Sequence, residues 1–375
     1  MEPVVKLLAD LVAIPSMNPM GRARTGKEYT EASAAEFIAA LLRGHSIDVQ
    51  LQQVAPGRPN VMGYINAAAA KTVLLEAHLD TVSADTMVIE PFHPLVRDGK
   101  LYGRGSCDTK GSCAAFLQAA CNALENTGSL RYNVLLLFVS DEEYRFGGAE
   151  FAARNGLKAD FGIVGEPTSL KIVRAHKGVT RWRIVTKGIA AHSAFPQGGR
   201  NAIYAMARIV QRLEEYANQV CLQAAHPLLG GPTLNVGVIE GGSAVNVVPD
   251  RCWIEVERRS LPGETTETIL APIRSLLKDL PDWGFEEPYL SAGGMEVTED
   301  APVVQTLARS IIEVTGGVTV EAAHYSTDAG YYNNIGVPTV VFGPGNIAQA
   351  HTDGEYIELD QLHQAAKVIE RFLTA

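Results

Sequence analysis

Residues 72–80 read TVLLEAHLD and residues 133–143 read NVLLLFVSDEE. Each is a short apolar run that ends in residues able to bind metals or move protons. Thr72–Ala77 and Asn133–Val139 are the short, mainly apolar runs of strands buried on both faces. Between them Gly111–Leu124 follows helical spacing, as Glu31–Leu42 does upstream. Strands alternating with helices predict an α/β domain with a mainly parallel sheet covered by helices. Sites in such sheets gather at the carboxyl ends of the strands. His78 and Asp80 follow the first run, Ser140–Glu143 the second, and Glu166 follows Phe161–Val164. Clusters at three strand ends can therefore converge on one point.

Outward from this core the pattern changes near His176. Val179–Thr186, Leu234–Ile239 and Cys252–Val256 alternate, with helical spacing in Asn201–Tyr216 and Glu264–Leu280. Strand, helix, two strands, helix describes a small α+β unit. Pro302–Thr315, Val337–Phe342 and Gln361–Leu373 then return to the first pattern. The expected organisation is a discontinuous main domain, residues 1–177 and 288–375, interrupted by an inserted domain at 178–287.

The 375 residues are 46% hydrophobic and 20% charged, ordinary globular proportions with ample material for a core. A net charge of −10 argues against nucleic acid or an anionic membrane as partner. The five cysteines are Cys107, Cys113, Cys121, Cys221 and Cys252, an odd number without a CxxC pair. That is the usage of a reduced, cytoplasmic protein rather than a disulfide framework. Val4, Val5, Leu7, Leu8, Leu11 and Val12 keep helical spacing, so the N-terminus reads as an amphipathic helix and not as a signal peptide.

Five segments carry chemistry. In HLD, His78 could bind a metal while Asp80 orients its other ring nitrogen; a histidine closing a turn is the alternative. In GRGSCDTKG, Asp108 could be a ligand or simply cap the helix that follows. Cys107 lacks partner thiolates at zinc-site spacing and is set aside, as is His93 in its Pro-flanked turn. The run Asp141–Glu142–Glu143 after an apolar strand needs either solvent or cations to neutralise it. Glu166 in GEPT and His351 in AQAHTDGEYI are weak alone. Together they make a His/carboxylate set without thiolate, which suits a catalytic zinc-type site with open positions.

The motifs HLD, GRGSCDTKG, DEE, GEPT, AAHSAFPQGGRNAI, GGSAVNVVPD, RRSLPG and AQAHTDGEYI appear in this order, and the resemblance they carry covers nearly the whole chain. In them the sequence resembles the co-catalytic metallohydrolases that include acetylornithine deacetylase, succinyl-diaminopimelate desuccinylase, aminoacylase and glutamate carboxypeptidase, and is most similar to the first branch. The resemblance implies two divalent ions per chain, zinc first and cobalt or manganese as alternatives. His78 and Glu166 would hold one, Glu143 and His351 the other, and Asp108 would bridge them. Asp80 would orient His78 and Glu142 would be the general base. It further implies a ferredoxin-like inserted domain that dimerises the chain, with His192, Asn246, Arg259, Ser326 and Thr327 contacting substrate. Read alone, His192 could be a core histidine, Asn246 a turn residue, and Arg259 a partner of Glu257. The implied reaction is hydrolysis of the amide of a small N-acylated amino acid, N-acetylornithine leading. A desuccinylase, a dipeptidase or carboxypeptidase, and a catalytically silent metal- or peptide-binding protein are the alternatives.

Overall fold

The computed structural model describes residues 2–126, 130–220, 222 and 225–374, so Cys221 lies outside the described residues. Two compact units emerge. The first comprises the chain up to Arg174, Glu296–Glu321, and everything from Thr327 onward. The second comprises Ala175–Met295 and the short segment Ala322–Ser326, which falls within the stretch 288–375 expected in the main domain.

The first unit is built on a sheet of nine strands among the described residues. Its centre is parallel, running Asn133–Val139, Thr72–His78, Phe161–Val164 and Thr339–Val341. The apolar runs explain this centre: Val73, Leu74, Leu75, Val134, Leu136 and Leu137 are all fully buried. An antiparallel hairpin, Asp48–Ala55 with Arg58–Ile65, extends one side, and Ile172–His176 extends the other antiparallel to Thr339–Val341. Lys110–Asn126, Leu359–Thr374, Pro302–Thr315 and Pro3–Val12 pack among themselves as one helical group. Ala32–Gly44 packs against the hairpin, and Gly147–Arg154 packs against Ala329–Asn334. Because the four central strands are parallel, His78, Val139 and Val164 all end at one edge. His78 pairs with Val139 in register, which puts Asp80 level with the start of the acidic run.

The second unit is an antiparallel sheet in the order Thr233–Gly241, Arg251–Ser260, Gly178–Lys187, Trp283–Phe285. With helices Ala202–Val220 and Thr266–Leu277 after the first and third long strands, this is the ferredoxin-like topology. Both helices bury their apolar stripes against the sheet. Met206, Ile209, Leu213, Ile269 and Ile273 meet Trp182, Ile184, Ile254 and Val256. Among the described residues no helix is long and apolar enough to cross a membrane. Cys107, Cys113, Cys121 and Cys252 are free and buried.

Candidate metal centre

Four of the five expected ligands meet directly. His78 Nε2 lies 3.1 Å from Asp108 Oδ1, and His351 Nε2 lies 3.2 Å from Asp108 Oδ2. His351 Nε2 is also 3.0 Å from Glu143 Oε2. Asp108 therefore turns one oxygen to each histidine, the disposition a bridging carboxylate needs. Ligand atoms of His78, Asp108 and Glu143 all lie within 4.8 Å of one another. Glu166 stands buried at the end of its own strand, and its charge acts on His78.

The electrostatics of the cluster are those of crowded, buried carboxyls. Burial raises the Glu142 and Glu166 carboxyls well above their ordinary range; the nearby His78 opposes this in both. Burial also raises Glu143, with the Asp108 charge adding to it. Burial would raise Asp108 as well, but its bonds to His351 and His78 outweigh this and hold it low. The same bonds, to Asp108 and then Glu143, push His351 up to about 10. So many carboxylates crowded into a poorly solvated space are costly unless neutralised. Two imidazoles and carboxylate oxygens are the donor set that divalent cations take, and the residues present fit such ions.

A second layer positions these groups. The main-chain carbonyl of Asp80 lies 2.8 Å from His78 Nδ1. The Asp80 carboxylate does not make that bond; its nearer oxygen is 3.7 Å from Nδ1. Asp80 thus meets His78 more closely through its main chain than through the side chain expected to orient it. The carboxylate is engaged elsewhere, accepting the amide of Glu142 at 3.1 Å, the amide of Glu143 at 3.2 Å and Asn18 Nδ2 at 2.8 Å. Asp80 thus holds the acidic run by its backbone. Asp141, in the left-handed region at φ 64°, is held in turn by Asn18 Nδ2 and Arg58 Nη1. Arg58 also donates both remaining arms to the buried Glu31.

The two adjacent acids differ. Glu143 Oε1 accepts the amide of Val82 while Oε2 faces His351. Among the described residues none donates a hydrogen bond to the Glu142 side chain. Cys107 is buried, donates to the Asn346 carbonyl and takes no part in the cluster. Asn18, Glu31 and Arg58 were missed by sequence reading. All three are buried or half-buried polar residues, but nothing local marks their role, because the charged partners that place them lie 27 to 123 positions away.

The residues expected to contact substrate are placed as follows. His192 is exposed on a two-residue ribbon, Ala191–His192 paired with Val247–Val248, so it is not a core histidine. The exposed Asn246 adjoins the ribbon and accepts the Ser193 amide. Arg259 Nε donates to Glu257 at 2.8 Å, the partner its sequence position suggested. Ser326 Oγ donates to the Lys177 carbonyl, and the buried Thr327 accepts the Ala329 amide.

Residues 74–375 match the model of peptidase family M20/M25/M40. The chain belongs to this family. It is a metal-dependent hydrolase. An acetylornithine deacetylase of Myxococcus xanthus is 35% identical over 308 residues, 79% of this chain and 78% of that protein. One from Photorhabdus laumondii is 30% identical over 386 residues, covering 99% and 96%. Among solved structures, an M20 metallo-carboxypeptidase from Sulfolobus solfataricus superposes with a TM-score of 0.80 at 22% identity, covering 99% of this chain and 98% of that one. A dinuclear metal-binding M20 peptidase from Bacillus subtilis gives 0.70 at 16%, covering 98% and 96%. These two share the hydrolase's fold.

Proposed function

We propose that this M20 hydrolase removes the acyl group from an N-acylated amino acid, with N-acetylornithine the leading substrate and zinc the ion. The observation that carries the reading is the match to acetylornithine deacetylases at 30% identity across 99% of the chain. The geometry of the centre supports it. His78 and Glu166 would hold one ion, Glu143 and His351 a second, and Asp108 both. Bound there, a divalent pair supplies Lewis acidity, lowering the pKa of a water and polarising the acyl carbonyl.

Glu142 takes the proton of the attacking water on a carboxylate oxygen and returns it to the leaving nitrogen. Its adjacent twin cannot do so, because both Glu143 oxygens are engaged. The bonds from Asp80 to the Glu142 and Glu143 amides fix where that proton is taken. Arg259 would bind the free α-carboxylate of the substrate through its planar fork, exchanging Glu257 for it. Two chains would pair through the second unit, where Phe195, Ile203, Tyr204 and Val245 are exposed around the ribbon of His192. His192 would then serve the centre of the other copy. Four free thiols suit a cytoplasmic setting.

The test is kcat/KM of zinc-reloaded enzyme on N-acetylornithine, N-succinyl-diaminopimelate and a plain dipeptide. N-acetylornithine should be fastest. Preference for the dipeptide overturns the deacylase reading, and preference for the succinyl substrate moves it to desuccinylation.

A further inference from the structure

One buried ion pair lies beside the metal centre without belonging to its donor set. Arg104 and Glu355 are each about 1% exposed and meet at 2.6 Å. Glu355 Oε2 accepts Arg104 Nη1 and, at 3.0 Å, the amide of Gly105. Oε1 accepts the amides of Cys107 at 2.9 Å and Asp108 at 3.0 Å. Three amides of one loop thus converge on one carboxylate, a nest whose anion the protein itself supplies. Gly105 makes the wrap possible: its φ is +81°, and a Cβ there would lie 2.7 Å from Thr81 Cγ2.

The pair also reaches a second loop. Arg104 Nη2 donates to the Thr352 carbonyl at 3.2 Å, directly after His351, and Gly103 N donates to the Glu355 carbonyl. Glu355 itself lies four residues beyond His351. Two loops some 250 positions apart, one carrying Asp108 and the other His351, are joined at their buried ends by this pair, beside the strand pairing of Tyr356–Glu358 with Lys100–Tyr102. His351 needs such a tie, because its side chain is 55% exposed and its backbone sits in the left-handed region at φ 62°. A buried ion pair is a poor source of net stability, because desolvation offsets the attraction. It is a good source of fixed geometry.

We propose that Glu355, braced by Arg104, is a positioning residue that sets the distance between Asp108 and His351 and so tunes metal affinity on the His351 side of the centre. The inference rests on the ligand roles proposed above. His78 takes its orientation from the Asp80 carbonyl, and Glu166 sits on its own strand, so neither touches the brace. Asp108 is shared by both ions, so both can feel the change, and the ion held with His351 and Glu143 should weaken most. Outer partners of ligands commonly govern affinity by about 10–100-fold.

The experiment titrates zinc alone into metal-stripped protein against a chromophoric chelator, comparing wild type, Glu355→Gln and Arg104→Lys. Glu355→Gln keeps the shape but turns an NH₂ towards donors. Arg104→Lys keeps a buried cation and drops the arm to Thr352, so it remains informative if the first variant does not fold. Wild type should bind two ions, and each folded variant should weaken one of them about 10–100-fold and the other by clearly less. A purely structural role would move thermal stability and leave the two affinities in their wild-type ratio. Two ions bound at wild-type strength in a folded variant, or both weakened equally, overturns the brace alone. A wild type that never takes a second ion overturns the ligand assignment, and the brace with it.

Discussion

Replacing Asp80 by Asn separates two accounts of this residue. The carboxylate accepts three donors, the amides of Glu142 and Glu143 and the side chain of Asn18. An Asn there has one acceptor oxygen, and its NH₂ must face at least one of these donors. Hydrogen bonds to a charged acceptor contribute roughly 1.5–3 kcal/mol each, so losing one or two costs the acidic turn about 2–5 kcal/mol of local order. The His78 contact survives, because it is made to the main-chain carbonyl. Asp80→Asn should therefore lower kcat by about 10²-fold or more, since a misplaced base loses both proton transfers. Zinc stoichiometry and the His78 ring resonances, read by NMR on the metal-loaded protein, should remain as in wild type. A variant that keeps its kcat, or that loses the His78-side ion and shifts the His78 tautomer, refutes the argument.

Glu142→Ala should reduce kcat by on the order of 10³-fold with both ions retained, whereas Glu143→Ala should lose an ion and recover partly with added zinc; elemental analysis beside kinetics distinguishes them, and the reverse pattern would exchange the two roles. His176 gives a pH effect: burial holds its folded pKa at about 4, against the pull of its bond to the Lys177 carbonyl. The unfolded chain takes that proton near pH 6.5, so stability should fall as pH drops from 6.5 to 4, by roughly 1.4 kcal/mol per unit. Urea titrations at pH 7.5 and 5 should show a smaller decline in His176→Gln; equal declines would place the effect elsewhere. Mixing inactive His192→Ala chains with inactive Glu142→Ala chains should restore activity once subunits exchange, and verified exchange without recovery would exclude a shared centre.

The strand runs could be read because burial on both faces leaves no polar position to blur them: Asn133–Val139 and Phe161–Val164 fall where the apolar residues do. The hairpin strand Asp48–Ala55 escaped reading. Its sequence DVQLQQVA lies at a half-exposed sheet edge, where glutamine serves as well as an aliphatic and the contrast between faces fades. The pairing of Tyr356–Glu358 with Lys100–Tyr102 joins distant segments and leaves no local trace. In the centre, the residues that meet, His78, Asp108, Glu143 and His351, were legible by type. The direction of Asp80 was not, because whether a carboxylate or its own carbonyl meets the histidine depends on which amides arrive from elsewhere. Glu355 lay inside a quoted motif, yet its task appears only when the loop of Asp108 folds around it.

The place of Thr339–Val341 in the sheet bears on synthesis. Phe161–Val164 and Ile172–His176 are close in sequence, yet this late strand sits between them. A chain emerging from the ribosome makes both early and then waits for more than 160 further residues. At about 5–20 residues per second that interval is roughly 8–30 s. Throughout it, the backbone groups of Phe161–Val164 that face the missing strand stay open to other strands, while the second unit, all but Ala322–Ser326 of which lies within Ala175–Met295, can largely form. The nascent first unit is therefore a half-sheet with an open seam, and a holding chaperone that covers that seam should raise the yield of folded enzyme more than one acting after release.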